Sequence, residues 1–464
     1  MPAPRRAVGA LLAVTLVAGC GSWVPPRPGS GAGGNVPGTT AGAAATAAPS
    51  AATLPPSPTP TASPSPRPTA RPTSSPAPTP ADTPWDPAKF GFWAKGMSGE
   101  VMAFMPVGQI RYAIDEMDWD VVSTVVFFSL EAGRNGRIVE DSGWRAWNSA
   151  RMDELIAKAH ATGTKVVMSL ERFSWSPGQT RLTAALLGSA AARERLAREV
   201  AAEVVRRGVD GVNVDFEPVP AGRKAEFTAF VRSLRKELDS RRPDYQLTFA
   251  VVGHHGSYDI ASLVGPDAAD AVYLMGYQYS GTWSKVAGST APMGGGRYDV
   301  VDTVKGLLKS VEPHEIIVGA PFYGHAWPTA TSALNARTIG GGFDVQYQYA
   351  LATARAHGIR YDPVQQVAWT RYRARACATC PVHWYQLYFD DHRAIAYKWA
   401  WIKRQKLLGG GVWTIGFEGG PGALTAAGRE AWLDPGPALV APGGAAAIVR
   451  PVANRRSPVG SFGG

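Results

Sequence analysis

The chain has 464 residues and carries 47 Lys and Arg against 37 Asp and Glu, which gives a formal net charge of +10. This length allows one large domain or two to three ordinary ones, and only three cysteines exclude a small scaffold held together by disulfides. A charged fraction of 18% excludes a coiled coil and a highly charged disordered protein. The 38 prolines and 52 glycines indicate that part of the chain is not globular.

Residues 1–19 have the pattern of an export signal. Arg5 and Arg6 precede an uncharged apolar run over residues 7–17, which is too short to span a bilayer permanently. Small residues then precede Cys20, so the segment resembles the lipobox of bacterial lipoproteins, in which the cysteine carries the lipid. An ordinary signal peptide with an unrelated cysteine is the alternative. The pattern predicts an exported, cell-surface or membrane-anchored lipoprotein that touches the membrane through its lipid alone.

Residues 20–84 are predicted to consist of the lipid-anchor residue Cys20 followed by a linker. Positions 21–84 hold 17 of the 38 prolines, mixed with Ser, Thr, Ala and Gly. Such a segment buries too little apolar area to offset its conformational entropy, and its Pro-rich runs favour an extended spacer of ~3.1 Å per residue. We interpret it as a stalk, with unselected low complexity as the alternative. Residues 436–464 are again rich in Pro, Gly and Ala and are predicted to be a flexible tail.

Most of the excess positive charge lies in the signal, the linker and the tail. Residues 85–435 hold 39 basic and 36 acidic residues, a net charge of only +3. A nucleic-acid partner therefore loses its main support, and none is expected.

From about residue 98 the sequence alternates short apolar runs with amphipathic segments. The predicted strands are 101–105, 121–129, 165–170, 211–217, 246–252, 271–279, 315–321 and 411–417. Predicted helices between them include 146–162, 190–207, 223–240, 299–310 and 392–407. Eight buried strands with helical spacers predict an α/β fold, a (β/α)₈ TIM barrel. An open doubly wound sheet is the alternative, but the sequence has no Gly-rich phosphate loop after its first predicted strand.

One interval, residues 322–384, is too long for the single helix that a barrel needs there. Residues 343–356 look helical, and residues 366–373 and 383–389 look like strands. These patterns predict a small α+β insertion after strand seven, at about residues 325–388.

The most informative segment is the predicted fourth strand, residues 211–217. Side chains alternate along a strand, so Asn213, Asp215 and Glu217 share one face, which points into the barrel. Glu217 comes last, at the C-terminal mouth where barrel enzymes react, and Asp215 lies one layer below. Two close carboxylates raise one pKa, which lets Glu217 hold a proton near neutral pH. The alternative is a structural layer of hydrogen bonds.

Residues 210–217 resemble the Asp-Gly-x-Asp-x-Asp-x-Glu signature of family 18 glycoside hydrolases, which include chitinases and related N-acetylglucosaminidases. Asn213 stands where Asp is common in that signature. Three further segments follow in family order: 273–278 resembles Tyr-x-Met-x-Tyr-Asp with Gln278 in place of Asp, 319–324 resembles Gly-x-Pro-x-Tyr-Gly, and 410–413 resembles strand eight with its final Trp. The resemblance spans roughly 98–430 and assigns residues 85–435 to this barrel.

The resemblance implies a retaining hydrolase that cleaves β-1,4 bonds of N-acetylglucosamine-containing glycans with no metal or cofactor. Glu217 would be the general acid and base, Asp215 would orient the substrate's 2-acetamido group, and Tyr277 would hydrogen-bond its carbonyl. Asn213 would complete the catalytic set beneath Asp215. The residues expected to bind sugar are Trp413, Met275, Gln278, Tyr323 and Phe104. Core packing is the alternative for Trp413 and Met275.

Several alternatives stay open at this point. Cys377 and Cys380 are interpreted as a disulfide because the chain is predicted to be exported, with zinc binding or redox chemistry as weaker alternatives. A catalytically weak or inactive glycan-binding lipoprotein, similar to lectins that lack the catalytic Glu, is the rival function, followed by a structural lipoprotein. Chitin, peptidoglycan and N-glycan cores are all open as substrates. A monomer is expected.

Overall fold

The computed structural model describes residue 95, residues 97–420 and residues 424–433. The predicted signal, Cys20, the linker and the tail lie outside these residues. Within the described ranges, no helix is both long enough and apolar enough to cross a bilayer.

A closed barrel of eight parallel strands lies at the centre of the described residues. Its strands are β1 (Glu100–Pro106), β2 (Thr124–Glu131), β3 (Lys165–Phe173), β4 (Gly211–Glu217), β5 (Gln246–Val252), β6 (Ala271–Met275), β7 (Ile316–Pro321) and, after five further strands, β13 (Gly409–Trp413). Consecutive strands are neighbours, and β13 closes the barrel between β7 and β1. Both faces of each strand are covered, which explains the continuous apolar runs. The predicted TIM barrel is confirmed.

The described residues form helices that surround the barrel, except for one that packs against the insertion described below. They are α1 (Ile110–Glu116), α2 (Ser142–Trp147), α3 (Ala150–Ala161), α4 (Pro177–Gly188), α5 (Ala190–Arg207), α6 (Lys224–Asp239), α7 (Ile260–Leu263), α8 (Val300–Leu307), α9 (Tyr347–His357), α10 (His392–Arg404) and α11 (Ala426–Gly428). Local sequence sets several ends. Ser176 and Gln179 form a reciprocal capping box at the start of α4, and Gly208, with a left-handed φ of 64°, caps the C-terminus of α5.

Two predicted barrel strands are shorter in the structure than in the sequence analysis. β6 ends at Met275 rather than at residue 279, and the backbone reaches a positive φ of 65° at Gln278. β13 runs from Gly409 to Trp413 and does not extend to residue 417. The predicted helix 146–162 is two helices, because Ser149 leaves the helical conformation and its hydroxyl accepts a hydrogen bond from Met152 N at the start of α3.

The interval after β7 holds the predicted α+β insertion. It is a five-stranded antiparallel sheet in the order β10-β11-β12-β8-β9, with α9 packed against it. Its strands are β8 (Tyr323–Thr329), β9 (Phe343–Gln346), β10 (Arg360–Asp362), β11 (Val367–Arg375) and β12 (Val382–Phe389). β8 and β10 were not predicted, and the segment predicted as one helix is β9 followed by α9. The structure joins Cys377 and Cys380 by a disulfide in the turn between β11 and β12.

Tyr273 of β6 fills the interior of the barrel. Its ring is fully buried and lies 4.7 Å from the Phe104 ring of β1, measured between centroids. A Cβ atom at Gly319 of β7 or Gly411 of β13 would lie 2.3 Å or 2.4 Å from Tyr273 side-chain atoms. The glycines on these two strands therefore provide the space in which the tyrosine packs.

Candidate active site

β4 carries the carboxylates because its residues alternate between two environments. Phe216 points outward, where its ring lies 5.6 Å from the rings of Phe227 and Phe230 of α6. Asp215 and Glu217 therefore point into the barrel. The end of the strand is held by its neighbours, since the Glu217 carbonyl accepts a backbone hydrogen bond from Ser174 N at 2.6 Å.

A pocket of about 540 Å³ lies over this strand end. Asp215, Glu217 and Tyr277 line it, so the structure brings together three of the four predicted catalytic residues. All five predicted sugar-binding residues line it as well: Phe104, Met275, Gln278, Tyr323 and Trp413. The pocket lies at the C-terminal end of the strands, where barrel enzymes react.

Asp215 and Glu217 form a buried pair of carboxyl groups. Both side chains are almost fully buried, and their carboxyl groups share a hydrogen bond. Burial raises the pKa of Asp215 well above its ordinary value, and the charge of Glu217 raises it further. Two such groups hold a proton between them at pH values where an exposed carboxyl has lost its own.

Asn213, the fourth predicted catalytic residue, does not line the pocket. It is fully buried one layer below Asp215, and its Nδ2 donates to the Thr248 hydroxyl of β5 at 2.8 Å. The Asn213 side chain therefore packs in the interior of the barrel, beneath the carboxyl pair.

Tyr277 lies beyond the end of β6 and reaches the pocket from the following loop. Burial raises its pKa well above the ordinary value, and the nearby side chains of Tyr273, Tyr323, Glu217 and Asp215 raise it further. Its hydroxyl therefore keeps its proton and can donate a hydrogen bond. The Tyr323 hydroxyl, in turn, hydrogen-bonds with the side chains of Thr290 and Gln278.

Trp413 forms part of an aromatic floor. Its ring lies 5.8 Å from Phe104 and 4.8 Å from Phe128, the latter edge to face. The indole is only partly buried and faces the pocket. A broad apolar ring in this position suits the C–H face of a sugar.

Sequence reasoning missed two tryptophans of the pocket. Trp175, after β3, and Trp283, after β6, line the pocket and remain 54% and 63% exposed. Each stands alone among Ser, Gly and Thr in a loop that follows a barrel strand. That pattern, a large apolar residue in a polar loop at the catalytic end, is the signal that could have found them.

The insertion and β3 contribute carboxyl groups that were also missed. Asp344 of β9 lines the pocket, and its carboxylate lies 2.7 Å from Nδ1 of the buried His325 of β8. Glu171 of β3 is the direct neighbour of Asp215 in the barrel register. Neither position could be found without the strand pairing.

Among the residues that the structure describes, no group of three or more His, Cys, Asp or Glu is arranged to hold a metal ion.

A closed eight-stranded barrel with a hydrogen-bonded carboxyl pair at its C-terminal mouth defines a TIM-barrel enzyme equipped for acid–base chemistry. The family model described as glycosyl hydrolases family 18 matches residues 100–418. The chain therefore belongs to the glycosyl hydrolases of family 18, which places it among the glycosidases and confirms the family that the strand motifs predicted.

Individual proteins are also similar to this chain in sequence. A Bacillus subtilis protein with the provisional description of a sporulation-specific glycosylase is 26% identical over 310 residues, covering 65% of this chain and 68% of its own. Chitinase 1 of Aphanocladium album is 27% identical over 251 residues, covering 48% of this chain and 57% of its own. The chain thus spans between about half and two thirds of the length of these relatives.

Solved structures share the fold at low sequence identity. A chitinase of Cycas revoluta in complex with (GlcNAc)₃ has a TM-score of 0.61 and 17% identity, covering 72% of this chain and 99% of its own. The spore cortex-lytic enzyme SleL of Bacillus cereus has a TM-score of 0.58 and 18% identity, covering 72% and 74%. At this identity the likeness concerns the fold.

Proposed function

We propose that the protein hydrolyses β-1,4 bonds of glycans that contain N-acetylglucosamine, with retention of configuration and with the substrate's own acetamido group as nucleophile. The observation that carries this proposal is the buried, hydrogen-bonded pair of Asp215 and Glu217 beneath an aromatic pocket at the barrel mouth. Membership of family 18 supports the reaction class.

Glu217 donates its proton to the glycosidic oxygen as that bond breaks. The carbonyl oxygen of the 2-acetamido group attacks the anomeric carbon, and an oxazolinium intermediate forms. The Asp215 carboxylate accepts a hydrogen bond from the acetamido N–H and stabilises the positive charge that develops there. Water then opens the intermediate from the side that the leaving group vacated, Glu217 takes up a proton from that water, and the configuration is retained.

Tyr277 fits the remaining polar role. Because its pKa is raised, the hydroxyl stays protonated and donates a hydrogen bond to the acetamido oxygen, which keeps that oxygen in line for attack. Trp413 and Phe104 provide the apolar floor on which the sugar ring lies. These interactions explain why the substrate needs an N-acetyl group.

The substrate class is the finer part of the proposal. The Cycas revoluta chitinase is described in complex with (GlcNAc)₃, and SleL is described as a spore cortex-lytic enzyme. Both chitin-type and peptidoglycan-type glycans are therefore candidates. Product analysis on defined N-acetylglucosamine oligomers beside purified peptidoglycan separates them, and the anomer first released reports on retention.

The test of the catalytic assignment is Glu217→Gln, with Glu418→Gln as its matched control. Glu418 is equally buried but lies outside the pocket, so that variant should hydrolyse normally. Glu217→Gln should lose about 10²- to 10⁴-fold in turnover while its affinity for an N-acetylglucosamine oligomer is largely kept. Undiminished turnover in this variant would contradict the proposal, and binding without turnover in the unaltered protein would favour the lectin-like alternative.

The cellular location is proposed from the sequence alone. We infer export and anchoring through lipid at Cys20, supported by the small residues that precede it. Cys20→Ala should release the protein from the membrane fraction, whereas Cys377→Ala should not. Recovery of both variants in the membrane fraction would contradict the anchor.

A further inference from the structure

A third carboxyl group, that of Glu171, lies beside the catalytic pair. Glu171 on β3 and Asp215 on β4 are directly paired in the parallel register. Directly paired residues of neighbouring strands point to the same face of the sheet, so both side chains enter the barrel. Asp215 therefore has one carboxyl neighbour on its own strand, Glu217, and a second across the strand pair.

The position of the Glu171 carboxyl is fixed by a side chain from β2. The Ser129 hydroxyl donates to Glu171 Oε2 at 2.5 Å. In the barrel β3 pairs with β2 and β4, so Glu171 lies between its hydrogen-bond partner Ser129 on one side and Asp215 on the other.

The charges that face Glu171 are mostly negative. Burial raises the pKa of Glu171 to about 8. The Ser129 hydrogen bond opposes this rise, and the charges of Asp215, Glu131 of β2 and Asp141 before α2 add to it. Arg172, the next residue on β3, bonds the Glu131 carboxylate and, at 3.1 Å, the carbonyl oxygen of Ala132. With a pKa of about 8, Glu171 is mostly protonated at pH 7 and ionised well above pH 8.

We propose that Glu171 is a positioning residue whose charge decides which of Asp215 and Glu217 holds the proton that they share. This inference rests on the proposed function. Catalysis needs the proton on Glu217, which donates it, and the negative charge on Asp215, which meets the oxazolinium.

The two charge states of Glu171 have opposite effects on that arrangement. While Glu171 is neutral, it does not oppose a negative charge on Asp215, and the proton can lie on Glu217. When Glu171 loses its proton to solvent, the new negative charge draws the shared proton from Glu217 Oε to Asp215 Oδ. Glu217 is then ionised and has no proton to donate, so turnover falls at alkaline pH.

The test is the pH dependence of kcat and kcat/KM for Glu171→Gln, Glu171→Asp and the control Glu418→Gln. Glutamine cannot ionise, so the alkaline limb of Glu171→Gln should move up by ~1 pH unit or more with little change in KM. Glu171→Asp restores an ionisable group and should restore the limb. Glu418→Gln removes a buried carboxyl elsewhere and should leave the profile unchanged. A Glu171→Gln profile that superimposes on that of the unaltered protein would overturn the proposal.

A second measurement does not require turnover or the Gln variant. In protein labelled with ¹³C at the glutamate and aspartate carboxyl carbons, Ser129→Ala removes a hydrogen bond that favours ionised Glu171. The Glu171 titration midpoint should rise, and the Asp215 titration should change with it. An Asp215 titration that stays unchanged while the Glu171 midpoint rises would overturn the inference. If the two titrations change together as expected but the protein hydrolyses no glycan, the result would count against the proposed function alone.

Discussion

Asp215 and Glu217 share a hydrogen bond from positions two residues apart on one strand, β4. Their separation is therefore fixed by strand geometry and not by a loop. The strand end is held in turn by Ser174 N and by the Tyr258 hydroxyl, which donates to the Phe216 carbonyl at 2.9 Å. In the mechanism that we propose, a rigid support of this kind would keep the acid and its neighbouring carboxylate in reacting geometry before substrate binds.

Asn213→Asp should shift the pH profile more than it lowers the maximal rate. The new carboxyl lies one layer below Asp215 in a fully buried position, and its charge raises the pKa of Asp215 further. The shared proton then stays on Asp215 at high pH, so the alkaline limb should move to lower pH. Rate measurements from pH 4 to pH 9 check this. A profile identical to that of the unaltered protein would show that this layer does not act on the pair.

Trp175→Ala and Trp283→Ala should weaken binding of longer oligomers. Each ring lines the pocket from a loop and is more than half exposed, so little stability depends on it. Loss of one stacking contact should raise KM about 3- to 10-fold. Tyr349→Ala is the control, because Tyr349 is an exposed aromatic of α9 outside the pocket. Equal KM values for all three variants would contradict a role in binding.

Gly411→Ala should destabilise the barrel. A Cβ at this position would lie 2.4 Å from the Tyr273 ring and 2.9 Å from the Met102 carbonyl oxygen, and neither neighbour has free space. Overpacking of this kind costs about 1–3 kcal/mol in the free energy of unfolding. Gly341→Ala is the matched control, since a Cβ there meets nothing within 4 Å. Urea unfolding of both variants should separate them, and equal midpoints would contradict the packing.

Stability should decrease between about pH 4 and pH 8 through carboxyls whose pKa burial has raised. The pKa of Glu418 is raised to about 7 and that of Asp390 to about 6. In this range the folded state holds protons that the unfolded chain has released, so the free energy of unfolding falls as pH rises.

Glu418→Gln removes one of these groups. The loss of stability from pH 5 to pH 8 should shrink by on the order of 2 kcal/mol. Glu430→Gln, a change at a largely exposed side chain, should leave it unchanged. Thermal unfolding at both pH values provides the measurement, and identical behaviour of the two variants would argue against the linkage.

The sequence predicted the barrel because each strand is a continuous apolar run, and it predicted the carboxyl pair because alternation on β4 is local. The ends of β6 and β13 were placed too late, since Tyr277 and Ile415 favour strands while the backbone already turns. β8 was missed because Pro328 and His325 interrupt an otherwise strand-like segment. A local sequence pattern does not show which residues of neighbouring strands are paired.

The site residues that were not predicted depend on how distant parts of the chain are brought together in the fold. Glu171 becomes significant only once β3 and β4 are aligned residue by residue. Asp344 lies more than 100 residues from the carboxyl pair and reaches the pocket through the insertion sheet. Trp175 and Trp283 lie in loops whose direction depends on the strands before them.

The insertion begins with almost no connecting segment. A single residue, Phe322, separates the end of β7 from the start of β8, and its carbonyl accepts a hydrogen bond from Tyr347 N at the start of α9. The next residue of α9 makes a second link to the barrel, since Gln348 N donates to the Phe417 carbonyl beyond β13. Because a single residue and these hydrogen bonds join the sheet to the barrel, the two should unfold in one cooperative transition. Tyr323 and Asp344 should then keep their positions when substrate enters the pocket.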